Sequence, residues 1–331
     1  MTRSWSGTPV LVTGAGGFIG SHLSERLVRE GARVRAFVRY NSRGDEGQLD
    51  HVPAEVRAEI EVVMGDLKDP EAVRRALRGR EVVFHLGAVV AIPYSYLSPL
   101  DFIQTNVLGT AHVLAASLDA GVRRVVHTST SEVYGTARYV PIDEGHPLQG
   151  QSPYAASKIA ADALAESFYR AFGLPVVTIR PFNTFGPRQS ARAVIPAIIV
   201  QALSGEVVRL GALHPSRDFT YVEDIVDGFL RVGEVEGITG RVFNMGSGRE
   251  TTVEDLVGII GQHLGKTLSI QVETQRLRPP ASEVERLRAD ASRAHQVLDW
   301  WPRTPLEDGL AATIEWLQGH LDLYRPGAYA I

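Results

Sequence analysis

The sequence predicts an α/β protein, a doubly wound parallel sheet joined to a smaller C-terminal lobe. Three observations carry this reading. Through the first half of the 331 residues, short β-branched runs alternate with longer amphipathic segments. A glycine-rich turn, VLVTGAGGFIG, links the first run to the first helical segment. After about Pro181 the alternation weakens, and prolines and glycines cut the chain into shorter pieces. Continuous apolar runs are what strands covered on both faces require, and their alternation with helices defines a parallel sheet wrapped on two sides.

In chain order, residues 10–12, 34–38, 60–63, 82–86, 125–128 and 176–180 read as the buried strands. Helices fit between most of them. Gly31, Gly121 and Gly173 follow periodic segments and mark helix ends, while Asp69-Pro70 and Ser152-Pro153 each supply a cap followed by proline at the first helical position. Beyond residue 181, helices are expected at 194–203, 222–232, 253–264 and 306–318, and a strand at 242–245 is placed to return to the main sheet. The chain therefore divides into residues 1–180, the sheet domain, and 181–331, mainly the smaller lobe.

Composition narrows the function classes. With 34 basic and 38 acidic residues the net charge is -4 and no run of like charge occurs, so neither nucleic acid nor an anionic membrane is an expected partner. The chain has no cysteine, which removes disulfides, thiolate nucleophiles and Cys-bound metals and suits a reducing cytoplasm. Its ten histidines show no paired metal-ligand spacing, so no metal is expected. The opening MTRSWSGTP lacks a signal-peptide core, and no apolar stretch approaches the ~20 residues of a membrane span.

Gly14, Gly17 and Gly20 fall between the first strand and the first helix, where glycine lets the backbone turn tightly and approach a pyrophosphate held by free helix N–H groups. A dinucleotide site is expected there, lined by Phe18, Ile19, Leu86 and Ala88. Asp66, closing the third strand beside Leu67, is either an acceptor for an adenine amino group or the cap of its own turn. The second strand ends in Arg39-Tyr40-Asn41-Ser42-Arg43, without the acid that usually holds the ribose hydroxyls of NAD, so Arg39 leans towards the 2′-phosphate of NADP. NAD and NADP both stay open.

SPYAASK sets Tyr154 and Lys158 four residues apart, one above the other on a helix face. An ammonium and an oxidised nicotinamide nearby favour the phenolate, which makes Tyr154 a candidate base near neutrality. Ser129 and Thr130 stand at a strand end between the glycine turn and this helix. HTSTSEVYG then places a carboxylate, Glu132, two residues after Thr130.

TGAGGFIG, HTSTSEVYG, SPYAASK, RPFNTFGPR and RDFTYVED, in this order, resemble the extended short-chain dehydrogenase/reductase family that modifies nucleotide sugars. The resemblance covers nearly the whole chain and implies a Rossmann domain with a C-terminal sugar-nucleotide lobe, and Thr130, Tyr154 and Lys158 as the catalytic triad. It implies oxidation of a sugar C4 hydroxyl, Tyr154 taking the proton. A 4-epimerase then returns hydride to the other face and needs no further acid, whereas a 4,6-dehydratase must remove the C5 proton and expel the C6 hydroxyl, which requires a carboxylate such as Glu132. Ser131 stands where dTDP-glucose dehydratases carry Asp, as in GDP-mannose dehydratase-like sequences, leaving Glu132 to serve both steps. UDP-glucuronate decarboxylases also resemble TSEVYG, so decarboxylation and 4-epimerisation remain alternatives, and a non-catalytic dinucleotide-binding regulator is the alternative of another class. AIPYSYLSP, PIDEGHPLQGQSPYAASK and RPFNTFGPRQSARAVIP resemble bacterial NAD-dependent 4,6-dehydratases of the legionaminic type, which implies UDP- or GDP-N-acetylglucosamine as substrate.

By the same resemblance Asn183 and Ser131 contact the substrate and Arg217 and Arg278 bind its diphosphate, since a planar guanidinium can engage two phosphate oxygens. Glu283 is either a ribose ligand or part of a helix start. His85 is expected as a packed histidine, and Trp300-Trp301 as core ahead of the last helix. Leu108, Ala111, Ala115, Ala161, Leu164 and Phe168 lie at helical spacing on the helix of Tyr154 and on a helix over about 101–120; part of this must face the sheet, and the family pairs such helices into a four-helix homodimer.

Overall fold

A computed structural model describes residues 4–324; residues 1–3 of the N-terminal reading and 325–331 of the C-terminal lobe lie outside it. The central sheet has seven strands: β1 (Pro9–Thr13), β2 (Arg33–Arg39), β3 (Glu61–Gly65), β4 (Val82–His85), β5 (Arg124–Thr128), β6 (Val176–Pro181) and, after shorter strands, Val242–Met245. All neighbouring pairs are parallel, in the order 242–245, β6, β5, β4, β1, β2, β3. The order reverses at β1, and the strands' carboxyl ends on either side of that point open the crevice where such sheets bind ligands.

Each strand forms where β-branched residues run consecutively, and all four residues of β4, VVFH, are buried. Helices α1 (Phe18–Arg29), α2 (Ala54–Arg57), α3 (Pro70–Leu77), α4 (Ile92–Leu97), α5 (Pro99–Phe102), α6 (Gly109–Ala120) and α7 (Pro153–Phe172) fill the crossovers. Their ends follow the sequence signals. Asp69 accepts from the Glu71 N–H, Ser152 accepts from the Ala155 N–H, and Gly121 and Gly173 are left-handed C-caps at φ 62° and 67°. Two cores result, one on each face of the sheet: Val10, Val12, Leu23, Leu27, Phe84 and Phe229 on one side, and Leu11, Phe37, Val83, Leu114 and Val125 on the other.

The segment expected as one helix over 101–120 is interrupted by a π-helical turn, Ile103–Leu108. Within it Asn106 is buried. Its Oδ1 accepts from the Val89 N–H at 2.8 Å, and its Nδ2 donates to Val89 O and to Ser157 Oγ, each at 2.9 Å. One side chain thus ties the loop after β4 to the helix of Tyr154.

The C-terminal lobe contains β7 (Asn183–Phe185), α8 (Val194–Ser204), β8 (Val207–Leu210), β9 (Ser216–Arg217), β10 (Phe219–Tyr221), α9 (Val222–Glu234), β11 (Val242–Met245), β12 (Thr251–Thr252), α10 (Val253–Leu264), β13 (Ser269–Val272), α11 (Ser292–Leu298) and α12 (Leu306–Gly319). It is not a contiguous unit. β11 completes the main sheet and α9 packs on α1, while α8, α10 and α12 enclose a separate core around Phe185, Ile198, Ile260 and Leu310. Of the tryptophan pair, Trp300 is buried and donates its indole N–H to Asp224 O, whereas Trp301 is 43% exposed beneath Arg303.

Candidate active site

β1 delivers the chain into the turn at Gly14, whose φ of 70° is left-handed and whose added Cβ would meet the Gly87 backbone at 2.7 Å. Gly20 packs directly on the carbonyl of Gly14, so a side chain there would push the turn away from the helix. Helix α1 starts with Gly17 as N-cap, without a capping side chain and without an acid in its first turn. Its N–H groups therefore face the crevice unneutralised, the arrangement that suits a bound pyrophosphate.

A cleft of about 910 Å³ runs from this turn along the strand ends. Its walls include Gly14, Gly17, Phe18, Ile19, Gly20, Arg39, Leu86 and Ala88 at one end, and Thr130, Ser131, Glu132, Tyr154 and Asn183 at the other. A second cavity of about 460 Å³ lies beyond, bounded by Arg192, Leu210, Arg217, Phe219, Arg278 and Glu283. The two share Asn183, Thr184, Gln189 and Arg278. Three residues assigned to the cleft from sequence do not line it. Asp66 is turned to its own loop, its Oδ1 accepting from the Lys68 N–H at 2.9 Å, and so fits the turn-cap alternative. Leu67 packs in the core under α6. Lys158 is 4% exposed and stands behind the wall, its Nζ donating to Thr128 O at 2.6 Å.

Tyr154 is buried to 8% exposure, and burial pushes its phenol well above the ordinary range; contact with the Thr130 hydroxyl opposes this, and the Glu132 and Asp162 carboxylates add to it. The expectation of a base near neutrality counted on an oxidised nicotinamide as well as on the lysine; in the chain alone burial favours the neutral phenol. Desolvation dominates, and it takes an added positive charge over the tyrosine to reverse it.

Lys158 is lowered to about 8 by burial, with Asp162 pulling the other way. Since its ordinary value is 10.5, the unfolded chain binds more protons between pH 8 and 10.5, so stability rises with pH across that window and the full cost of the buried ammonium applies below 8. Lys158→Met removes that cost, about 3 kcal/mol, and also the hydrogen bond to Thr128 O, about 1 kcal/mol, so a net gain of about 2 kcal/mol in stability is expected at pH 7. The gain shrinks as the pH rises from 8 towards 10.5. Chemical denaturation at several pH values reads both parts.

Beneath the triad lies a charged network absent from the sequence reading. Asp162, one turn beyond Lys158 on α7, accepts from Ser129 Oγ at 2.8 Å and from Arg180 Nε and Nη2 at 3.1 and 2.9 Å, and its other oxygen lies 3.0 Å from His127 Nε2. Arg180 also donates to Tyr134 Oη at 3.0 Å, and Tyr134 donates to Asn244 Oδ1 at 2.7 Å. The network fixes the end of β5, and hence Thr130, against α7. The i, i+4 step from Lys158 to Asp162 was the one signal in the sequence; Arg180 and His127 come from adjacent strands. His85 is a packed histidine. Its Nδ1 lies 2.8 Å from Thr13 Oγ1 and its Nε2 lies 3.0 Å from Thr110 Oγ1, and burial holds it neutral.

Glu132 is the second residue of the short 3-10 turn Ser131–Tyr134, whose cap Thr130 accepts the Glu132 N–H at 3.2 Å. Its charge reaches both Tyr154 and Arg217. Arg217 is 7% exposed. Burial works against its charge, Glu132 favours it, and Glu283 adds to that from 3.4 Å. Arg278 lies 3.5 Å from the same Glu283 oxygen, so Glu283 sits between the two arginines. Ser131 is buried beside Glu132. Among the described residues no group of three or more His, Cys, Asp or Glu side chains could hold a metal, and no helix is long and apolar enough to cross a membrane.

A glycine turn on a parallel sheet, with Thr130, Tyr154 and a buried lysine at the strand ends, defines an enzyme of the extended short-chain dehydrogenase/reductase type. The chain belongs to the GDP-mannose 4,6 dehydratase family, whose model matches residues 11–313, within the nucleotide-sugar epimerases and dehydratases. It is 35% identical over 315 residues to a UDP-glucose 4-epimerase of Mycolicibacterium smegmatis, covering 93% of this chain and 98% of that one. It is 34% identical over 324 residues to a dTDP-glucose 4,6-dehydratase of Streptomyces griseus, at 96% and 97% coverage. Among solved structures, the dTDP-glucose 4,6-dehydratase of Streptomyces venezuelae with NAD bound superposes with a TM-score of 0.86, at 31% identity, over 96% of this chain and 99% of that one.

Proposed function

We propose that the protein is a nucleotide-sugar 4,6-dehydratase that uses NAD and releases a 4-keto-6-deoxy sugar, with UDP- or GDP-N-acetylglucosamine as the substrate class. The observation that carries the reading is Glu132: a carboxylate in the wall of the cleft whose charge acts on Tyr154 on one side and on Arg217 on the other.

The cleft fits NAD because the close approaches at Gly14 and Gly20 keep the α1 N-terminus bare for a pyrophosphate, with Phe18, Ile19, Leu86 and Ala88 as walls and Arg39 at the mouth. NAD in the related structure supports this cofactor over the NADP towards which Arg39 leans. When bound, it accepts a hydride from the sugar and later returns it. Tyr154, oriented by Thr130, takes the C4 hydroxyl proton, and Lys158 supplies positive charge behind it. The new C4 carbonyl acidifies C5, and Glu132 takes that proton and passes it to the departing C6 hydroxyl, which leaves as water. Glu132 then carries a solvent proton back to C5. Two protons thus leave the sugar, one departs in the water and one returns.

Arg217 and Arg278 would hold the diphosphate, with Asn183 and Ser131 beside the sugar and Glu283 on the ribose. Arg217→Met is expected to raise KM for the sugar nucleotide on the order of tenfold or more with a smaller change in kcat. Steady-state kinetics checks this, and a melting curve shows that the fold survives. Leu97, Leu100, Ile103 and Leu108 are exposed around the π-helical turn and support a homodimer through this face, whereas Ala161 is fully buried and belongs to the part of the pattern that faces inward. The epimerase reading rests on the M. smegmatis relative. Mass spectrometry separates the reactions: a product lighter by one water supports dehydration, an unchanged mass epimerisation, and loss of carbon dioxide decarboxylation.

A further inference from the structure

The Glu132 carboxylate has no hydrogen-bond or ion-pair partner among the described residues, so the turn that carries it sets its place in the cleft wall. That turn is tied at both ends. At its start Thr130 accepts the Glu132 N–H, and at its close the fully buried Tyr134 runs its hydroxyl back into the protein. Burial keeps this phenol protonated, leaving it one O–H to give and lone pairs to receive. Arg180 Nη1 donates to it at 3.0 Å, and it donates to Asn244 Oδ1 at 2.7 Å. The directions of these bonds are fixed. A guanidinium can only donate, and Asn244 Nδ2 is engaged by Ile142 O at 2.9 Å, a carbonyl that can only accept, so the oxygen of Asn244 is the end that faces the tyrosine. The ring is held as well, with His146 edge-on at 5.5 Å and Phe182 at 6.4 Å between centroids.

Through Arg180 the same hydroxyl is joined to Asp162, one turn beyond Lys158 on α7. The chain Asp162–Arg180–Tyr134–Asn244 therefore runs from the helix of Tyr154 across β6 to the turn of Glu132 and on to β11. An apolar side chain would fill this space without setting a distance along it, whereas hydrogen bonds of fixed direction set one. The proposed reaction needs such a distance. Tyr154 works at C4 and Glu132 at C5 of one ring, and a misplacement of about 1 Å can cost on the order of 100-fold in rate. We infer, resting on the role given to Glu132 in the proposed function, that Tyr134 is a positioning residue that registers Glu132 against Tyr154 through its hydroxyl bonds to Arg180 and Asn244. Thr130 does not depend on this tie: Ser129 before it donates through Oγ to Asp162 at 2.8 Å and through its backbone N–H to Ile179 O at 2.7 Å. Tyr134 thus bears on the proton transfers at C5 and C6 and not on the first oxidation.

Tyr134→Phe removes the hydroxyl and keeps the ring. Stopped-flow absorbance is followed on the NAD-loaded protein with whichever of UDP-N-acetylglucosamine, GDP-N-acetylglucosamine and dTDP-glucose the wild type consumes fastest, so that formation and decay of reduced nicotinamide are read as separate phases. Formation should stay within about threefold of wild type and decay should slow about tenfold or more, with KM little changed. Asn244→Ala takes away the acceptor of the hydroxyl and leaves Arg180 in place. It should slow the same phase by a smaller factor, and it carries the test by itself where melting curves show that Tyr134→Phe does not fold. Equal slowing of both phases, or a lower melting temperature with both rates kept, would overturn the inference in favour of a purely structural tyrosine. Glu132→Gln in the same assay keeps this result apart from the proposed function. If its decay phase matches wild type, Glu132 has no part in the later steps and both readings fall, whereas a stalled Glu132→Gln beside a wild-type-like Tyr134→Phe sinks the positioning role alone.

Discussion

Glu132→Gln is expected to abolish product formation while leaving the first oxidation in place. The amide is nearly isosteric with the acid and keeps the backbone N–H that Thr130 accepts, so the 3-10 turn at 131–134 should persist. What disappears is a base for C5 and an acid for the C6 hydroxyl, two transfers assigned to one group. General acid–base groups contribute typically ~10² to 10⁴ in rate, and losing both roles places the expected fall in kcat at the upper end, about 10⁴. Tyr154, Thr130 and Lys158 are untouched, so oxidation at C4 should still occur and reduced nicotinamide should accumulate on the enzyme, visible by its absorbance. Removing the negative charge of Glu132 also removes one of the influences that raise the Tyr154 phenol, which favours that first step. A 4-epimerase would behave differently, because its chemistry makes no demand on this side chain.

Tyr154→Phe should give the complementary phenotype, with no oxidation and no accumulation of reduced cofactor. The phenol is buried, its one stabilising hydroxyl partner is Thr130, and the remaining influences on it are desolvation and two carboxylates. A loss of about 10³ to 10⁴ in kcat is expected, with substrate affinity largely kept because the arginines lie in the adjoining cavity. Fluorescence titration with the sugar nucleotide checks the second half. Activity equal to wild type would instead favour a binding protein whose triad is unused.

The contrast between what could be read from the chain and what could not has a physical basis. Strands β1, β4, β5 and β6 were legible because a strand buried on both faces leaves an unbroken apolar run, and α10, expected over residues 253–264, begins and ends there because Thr252 and Gly265 cap it. The helix over 101–120 was legible as helical but not as interrupted; the π-helical turn carries Asn106, whose bonds to Val89 and Ser157 are tertiary and leave no local signal. Gly14, Gly17 and Gly20 reveal themselves because backbone geometry allows little else at such a turn. Asp66 shows the limit of that logic: an acid after a strand can serve a ligand or its own loop, and one Asp66 oxygen accepts the Lys68 N–H. Asp162 was invisible because its partners, His127 and Arg180, lie on two other elements of the chain, β5 and β6.

The tyrosine also illustrates how the site divides its work between chain and cofactor. Burial makes Tyr154 a poor base by itself and Lys158 an ammonium held at about 8, so the chain alone stores electrostatic cost at the place where chemistry is expected. A bound oxidised nicotinamide would favour the phenolate of Tyr154, while its positive charge would work further against the Lys158 ammonium.

The most direct test of the central claim, that Glu132 exchanges a proton with C5, is the isotopic composition of the sugar after turnover in deuterated water. With the wild-type protein and a 4,6-dehydration substrate, the product should carry one deuterium at C5 and weigh one water less, and Glu132→Gln should form none of it. A product with protium at C5, or deuterium incorporation that survives the Glu132→Gln substitution undiminished, would contradict the account.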